Sequence, residues 1–191
     1  MKIGSSVLNK RTGSTITVLD FSDDSLVLRF ASLAPTKVPD FPKHFHERWV
    51  EEFEIVKGRG RYWHGGAWHD VAAGETLRHE PGQPHVHPIN SSDAPFEMIQ
   101  RVKSLIPDPE GIQSTIAALF TLIDRHARGE VKLMPLGYPL NPLYFSGLGR
   151  VLGWSASYDA MIPVAIQKGS AATMGRLALA MGIRPIDEKW L

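Results

Sequence analysis

The run His44-Phe45-His46-Glu47-Arg48-Trp49-Val50-Glu51-Glu52-Phe53-Glu54-Ile55-Val56-Lys57-Gly58, followed by Pro81-Gly82-Gln83-Pro84-His85, decides how this chain folds. Side chains alternate faces along a β-strand, so His44 and His46 project to the same side. In the next segment Glu51, Phe53 and Ile55 share one face, and Glu52 and Glu54 share the other. A face that is carboxylate, aromatic and aliphatic reads as the inside of a barrel carrying one ligand. The opposite, doubly acidic face reads as solvated. Three imidazoles and one carboxylate, from His44, His46, Glu51 and His85, can hold one divalent metal.

Working outward, short strands separated by turn residues occupy the first half of the chain. They are expected at Thr15–Val18, Ser25–Ala31, His44–His46, Glu51–Val56, Arg61–Trp63, Trp68–Val71, Thr76–His79, His85–Pro88 and Phe96–Val102. Ala34–Lys43 is a proline-rich connection, and Gly65-Gly66 marks a hairpin tip between His64 and His69. Strands at this spacing indicate a sandwich or barrel. Phe96, Met98, Gln100 and Val102 share a face, so Gln100 either supports the site or lies outside. Phe53, Ile55, Phe96 and Met98 are the expected cavity lining.

After residue 108 the texture changes. Asp108-Pro109-Glu110 is a helix start, with a capping carboxylate and proline in the first turn. Ile112, Ile116, Leu119, Phe120 and Ile123 then fall at helical spacing, and Arg128-Gly129 closes the helix. Leu133–Gly149 carries no charge, but Pro135, Pro139 and Pro142 interrupt it, too short and broken to span a membrane. Ser170–Met181 reads as a second, largely apolar helix. The segments 147–164 and 170–181 carry too few basic residues to suit a membrane surface.

The metal-ligand pattern resembles the cupin superfamily. Its first motif is matched by His44-Phe45-His46, four spacers, Glu51, six spacers and Gly58. Its second is matched by Gly74, Pro81, Gly82, His85 and Asn90. The glycine usual before the histidine pair is replaced by Val38-Pro39-Asp40-Phe41-Pro42-Lys43, and Pro81 and Gly82 are adjacent. Neither departure touches a ligand. Glu52, the competing carboxylate, has the wrong parity and stands one residue too near Gly58. With Gly13-Ser14-Thr15-Ile16-Thr17-Val18 at the start and Gly149-Arg150-Val151-Leu152-Gly153 late, the chain is similar to small single-domain bacterial cupins.

The resemblance implies an all-β fold, a double-stranded β-helix or jelly-roll barrel over residues 1–107. A helical extension, 108–191, packs on it within one domain. It implies His44, His46, Glu51 and His85 as ligands of one divalent transition metal with open coordination positions. The sulfur-free donor set suits Fe(II) or Mn(II) first, then Ni(II), Zn(II) or Cu(II). Cupin scaffolds host oxygenases, isomerases, lyases and non-catalytic binders. An oxygenase acting on a small, largely apolar, oxygen-chelating substrate is the favoured expectation, because no further Asp, Tyr or Lys is marked by its neighbours as a base. Tyr62, Arg61, Glu97 and Arg101 are candidates only through proximity to barrel strands. Cupins commonly pair, so a homodimer is expected.

Composition narrows the rest. The chain has 191 residues, 43% of them hydrophobic, with 21 basic and 20 acidic side chains and a net charge of +1. It is sized for one domain and carries no polyanion-binding signal, so nucleic acid is not an expected partner. There are no cysteines, which excludes disulfides and thiolate ligands. Met1-Lys2-Ile3-Gly4-Ser5-Ser6 has no apolar leader core, so a cytoplasmic location is expected. The remaining histidines take plain roles. His64 and His69 flank a hairpin, His79 precedes a turn, and His126 sits at a helix end. His87, two residues after His85, is either a neighbour of the site or a packed rim residue.

Overall fold

The structure, a computed structural model, describes residues 2–36 and 38–191. Met1 and Lys37, which belong to the amino-terminal and proline-rich readings above, lie outside the described residues.

Eleven strands form two antiparallel sheets among the described residues. They are β1 (Ser6–Asn9), β2 (Ser14–Phe21), β3 (Ser25–Ser32), β4 (His44–His46), β5 (Trp49–Lys57), β6 (Arg59–His64), β7 (Ala67–Ala72), β8 (Thr76–His79), β9 (His85–Asn90), β10 (Phe96–Ser104) and β11 (Ser157–Asp159). The first sheet runs β1-β2-β3-β10-β5-β8 and the second β11-β4-β9-β6-β7. Beside the consecutive pairs β1-β2-β3 and β6-β7, β10 pairs with β3 and β5, β5 with β8, and β9 with β4 and β6, so strands distant in sequence lie side by side as in a double-stranded β-helix. The alternation of β5 is realised: Glu51, Phe53 and Ile55 are buried, while Glu52 and Glu54 are part-exposed on the outer face. Gly58 turns the chain from β5 into β6 at φ +85°, and a Cβ there would lie 2.4 Å from the Pro95 carbonyl oxygen. Only glycine fits.

The all-β expectation needs correcting. Strands dominate, but after β10 the described residues also form four α-helices, with β11 between the second and third: α1 (Pro109–Ala127), α2 (Pro142–Trp154), α3 (Val164–Ala172) and α4 (Met174–Ala180). Helix α1 starts as its sequence demands, with the Asp108 carboxylate accepting from Gly111 N at 3.0 Å. It inserts Ile112, Ile116, Phe120 and Ile123 into the barrel's own hydrophobic core. Each such buried side chain contributes about 1.5–3 kcal/mol. Helix α2 was hidden in the proline-rich stretch. Pro142 begins the helix rather than breaking it, because a first-turn proline forfeits only an N–H that has no helical partner. Asn141 caps it, accepting from Leu143 N and Tyr144 N at 2.9 and 3.2 Å. The single expected helix over 170–181 is instead α3 and α4, divided at Thr173, whose hydroxyl bonds back to the Gly169 carbonyl.

Strand β11 had no sequence signal. It pairs with β4 through Ser157↔His46, Tyr158↔Phe45 and Asp159↔His44, so the carboxy-terminal part of the chain forms the edge of the second sheet. Among the described residues no helix is long and apolar enough to cross a membrane.

Candidate metal centre

Strands β4, β5 and β9 bring His44, His46, Glu51 and His85 together inside the barrel. Their donor atoms all lie within 4.8 Å of one another. His44 pairs directly with His85 across the β4–β9 ladder, which places the two imidazoles side by side. Glu51 and His85 are almost wholly buried, at 2% exposure each.

The hydrogen bonds behind the imidazoles fix which nitrogen faces inward. His44 Nδ1–H donates to the Pro42 carbonyl at 2.7 Å, and His85 Nδ1–H donates to the Gln83 carbonyl at 2.9 Å. His46 Nδ1 meets Ser157 Oγ at 2.7 Å. Its direction follows if the Ser155 hydroxyl takes the Leu152 carbonyl as its acceptor. Ser157 then donates to Ser155 Oγ and accepts from His46. All three rings therefore carry the proton on Nδ1 and turn an Nε2 lone pair toward the centre. Glu51 Oε1 accepts from Gln100 Nε2 at 2.5 Å. Its Oε2 lies 3.3 Å from His46 Nε2 and 2.7 Å from His85 Nε2, and none of these three atoms makes a well-aligned hydrogen bond. Buried polar atoms left this way need a partner. Three lone pairs and one carboxylate converging on a shared point are compatible with a divalent metal.

The electrostatics of Glu51 and His44 agree with that donor chemistry. Burial opposes ionisation of Glu51, but His46 and His85 together outweigh it and hold the carboxyl well below its usual range. Burial drives His44 well below the ordinary imidazole value, assisted by His85, His87 and His46. His85 moves the other way: burial lowers it, but the adjacent Glu51 more than compensates.

Two further histidines join the cluster. His87, on the same strand face as His85, is buried with both ring nitrogens unpartnered, its Nε2 3.8 Å from Glu51 Oε1. Burial, with His85 among the neighbouring histidines, lowers it to about 3 against the opposing pull of Glu51. His79 is not a plain turn residue. The ladder sets it opposite Glu51, and its ring stacks on His85 at 4.4 Å and 7°. His64 lies tilted behind it at 4.9 Å and 36°, whereas His126 does sit at a helix end, bonded to the Val131 carbonyl. Gln100 proves to be a partner of Glu51 rather than an exterior residue. His87 and Gln100 were visible in strand parity; Ser157, 111 residues from His46, was not.

A cavity of about 150 Å³ opens beside the centre. Its lining is not the expected one. Phe53, Ile55, Phe96 and Met98 pack fully in the core and do not reach it, because the barrel's interior is filled beneath the histidines. The walls come instead from α1 and α2, through Ile116, Leu119, Phe145, Leu148 and Leu152, with His44, His46, Glu51 and His87 on the barrel side. The polar exceptions include Arg11, Tyr138 and Asp159.

Residues 32–100 match the family model described as "Cupin domain". A comparison with curated proteins finds no match. Solved structures that resemble the chain include a double-stranded β-helix protein from Klebsiella pneumoniae, at 20% identity and TM-score 0.45, covering 53% of this chain and 85% of that one. A Streptomyces PAC13 variant with uridine shows 16% identity and TM-score 0.42, covering 53% and 76%. A sugar phosphate isomerase of the cupin superfamily from Silicibacter pomeroyi shows 21% identity and TM-score 0.43, covering 53% and 69%. The segment that matches a cupin domain, residues 32–100, holds both motif segments and lies within the two-sheet barrel.

Proposed function

We propose that this protein is a mononuclear metal-dependent oxygenase acting on a small, largely apolar molecule that presents two adjacent oxygens to the metal. His44, His46, Glu51 and His85 would hold the ion, Fe(II) or Mn(II) by preference. The observation that carries the reading is the convergence of three Nδ1-anchored imidazoles and one carboxylate at the wall of an otherwise apolar cavity. A bound ion of this kind supplies Lewis acidity and, for iron or manganese, one-electron redox chemistry.

The protein's own residues supply the remainder. Gln100 holds Glu51 in place through Oε1 and leaves Oε2 free toward the centre. Ile116, Leu119, Phe145, Leu148 and Leu152 hold hydrocarbon and exclude water. The one Lys or Arg among the described lining residues is Arg11, whose guanidinium is engaged by the Pro39 and Asp40 carbonyls at 2.5 and 3.1 Å. That lining gives a phosphate or strongly anionic substrate little to bind. Residues 108–191 belong in this reading to the same domain as the barrel, because they supply the cavity's apolar walls.

A metal-dependent isomerase or lyase is the second reading. The hydrogen-bonded pair Tyr138–Asp159 in the same cavity favours it, since proton transfer needs such a group. The test is anaerobic reconstitution with Fe(II), then oxygen-uptake measurements against diketones, catechols and flavonol-like compounds. Oxygen consumption matched to substrate loss, and absent in His85→Ala, is expected. Turnover without oxygen transfers the assignment to an isomerase or lyase. Tight binding without turnover under any metal leaves a small-molecule-binding cupin.

A further inference from the structure

One polar feature of the cavity, Tyr138, lies well outside the segment matched to the family model. Its hydroxyl donates to Asp159 Oδ2, and both residues line the cavity. The ladder sets Asp159 opposite His44, and directly paired residues project to the same face of a sheet, about 4.5–5.5 Å apart at Cβ. The neighbouring pair shows the rule at work, since Ser157 opposite His46 reaches the ring with its hydroxyl. Asp159 therefore stands beside the centre, with Tyr138 attached to it.

The pair is held from several directions. Gln167 brackets Asp159, accepting from its N–H at 3.0 Å and donating to its carbonyl at 2.8 Å. The second carboxylate oxygen accepts from Met161 N at 2.6 Å. On the tyrosine side, residues 133–139 close on themselves through the Leu133↔Pro139 bridge and the bond from Met134 N to the Tyr138 carbonyl. Gly137, at φ +93°, lets that loop lie against Arg11, where a Cβ would come within 2.9 Å of the guanidinium. Burial, with the Asp159 bond adding to it, raises the phenol well above its ordinary value, so it keeps its proton. A tie between loop and strand could be made by an apolar contact. A polar pair at the wall of a mainly apolar cavity does something further.

We propose that Tyr138 is a specificity-determining residue: with its proton committed to Asp159, its oxygen offers the cavity only a lone pair. The ligand therefore carries a hydroxyl donor in addition to its metal-chelating oxygens. This rests on the reading that the ligand chelates an ion held by His44, His46, Glu51 and His85. A hydroxylated ring with a ketone and an adjacent hydroxyl is the chemical class that meets both demands. A methyl group in place of the distal hydroxyl leaves the Tyr138 lone pair buried and unpartnered.

Two compact hydroxypyranones make the test. Kojic acid and allomaltol chelate through the same ketone and ring hydroxyl and differ only in a distal hydroxymethyl against a methyl. Their affinities for the Zn(II)-loaded full-length protein are to be measured by calorimetry. Kojic acid is expected to bind about five- to tenfold more tightly. Tyr138→Phe is expected to bring the ratio to about one, at unchanged zinc content, by removing the acceptor. Equal affinities in the unmodified protein, or a preference for allomaltol, overturn the inference even if the variant does not fold. A ratio that survives Tyr138→Phe overturns it as well. If neither compound binds the zinc-loaded protein, the chelation reading falls first and takes this one with it; if both bind alike, only the present inference falls.

Discussion

Ser157→Ala isolates the strand that the carboxy-terminal part of the chain lends to the barrel. Ser157 accepts the His46 Nδ1 proton at 2.7 Å and passes its own to Ser155, which also bonds Thr115 Oγ1 at 2.7 Å. Every one of these groups is buried. Removing the hydroxyl strands the His46 N–H away from water, a loss of about 1–3 kcal/mol. For a domain of this size, at about 2–4 °C per kcal/mol, Tm should fall by roughly 2–12 °C. The released ring also loses the contact that aims Nε2, and losing such a partner typically weakens a metal site by about 10–100-fold. Calorimetric melting and competition against a chromophoric chelator measure the two effects separately, and Ser157→Thr should restore both. A lowered Tm with metal affinity within twofold of wild type would falsify the role assigned to Ser157, leaving it a packing residue.

Three other outcomes are expected. In chelator-treated protein, His79 and His87 are lowered to about 3, with burial as the largest cause, and His44 is lowered too. They stay neutral in the fold but charge in the unfolded chain below about pH 6.5, so their stability contribution is present above that pH and lost as pH falls. His85, raised, opposes this with one proton and does not reverse it; urea midpoints that do not decline between pH 6.5 and 5 contradict the assignment. Gly58→Ala should prevent accumulation of folded protein, given the 2.4 Å approach to Pro95, and a variant with wild-type circular dichroism and Tm defeats that argument. Helices α3 and α4 and the capping Met181 leave Ile166, Met174, Leu177 and Met181 exposed, and we expect a homodimer formed on that face. Light scattering should report twice the chain mass, reduced to the monomer by Leu177→Asp, and a monodisperse unmodified monomer rejects the pairing.

The barrel was legible because period-two patterning is local. Glu51, Phe53 and Ile55 announce their shared face within five residues, and turn glycines such as Gly58 and Gly82 mark where strands end. The same parity brings His44, His46, Glu51 and His85 together. Features that depend on long-range pairing were not legible. Nothing near Ser157-Tyr158-Asp159 says strand, because its partner is β4, more than a hundred residues earlier. Pro142 reads equally as a breaker or a helix start until Asn141 is seen capping it. The lining was misjudged for a related reason. Parity tells which residues face inward, but not whether the interior at that level is open or filled, and Phe53 and Met98 lie where it is filled.

The pairing of β11 with β4 also sets an order of events during synthesis. His46 leaves the ribosome 111 residues before Ser157 does, which at about 5–20 residues per second is roughly 6–22 s. Once His85 has emerged, 72 residues before Ser157, the nascent chain has its four candidate ligands but not the partner that orients His46. An ion captured then would be held in an open, wet, loosely aimed site. Arrival of the last third of the chain turns it into a closed one, so the ion retained is the one that survives this closure rather than the first one met.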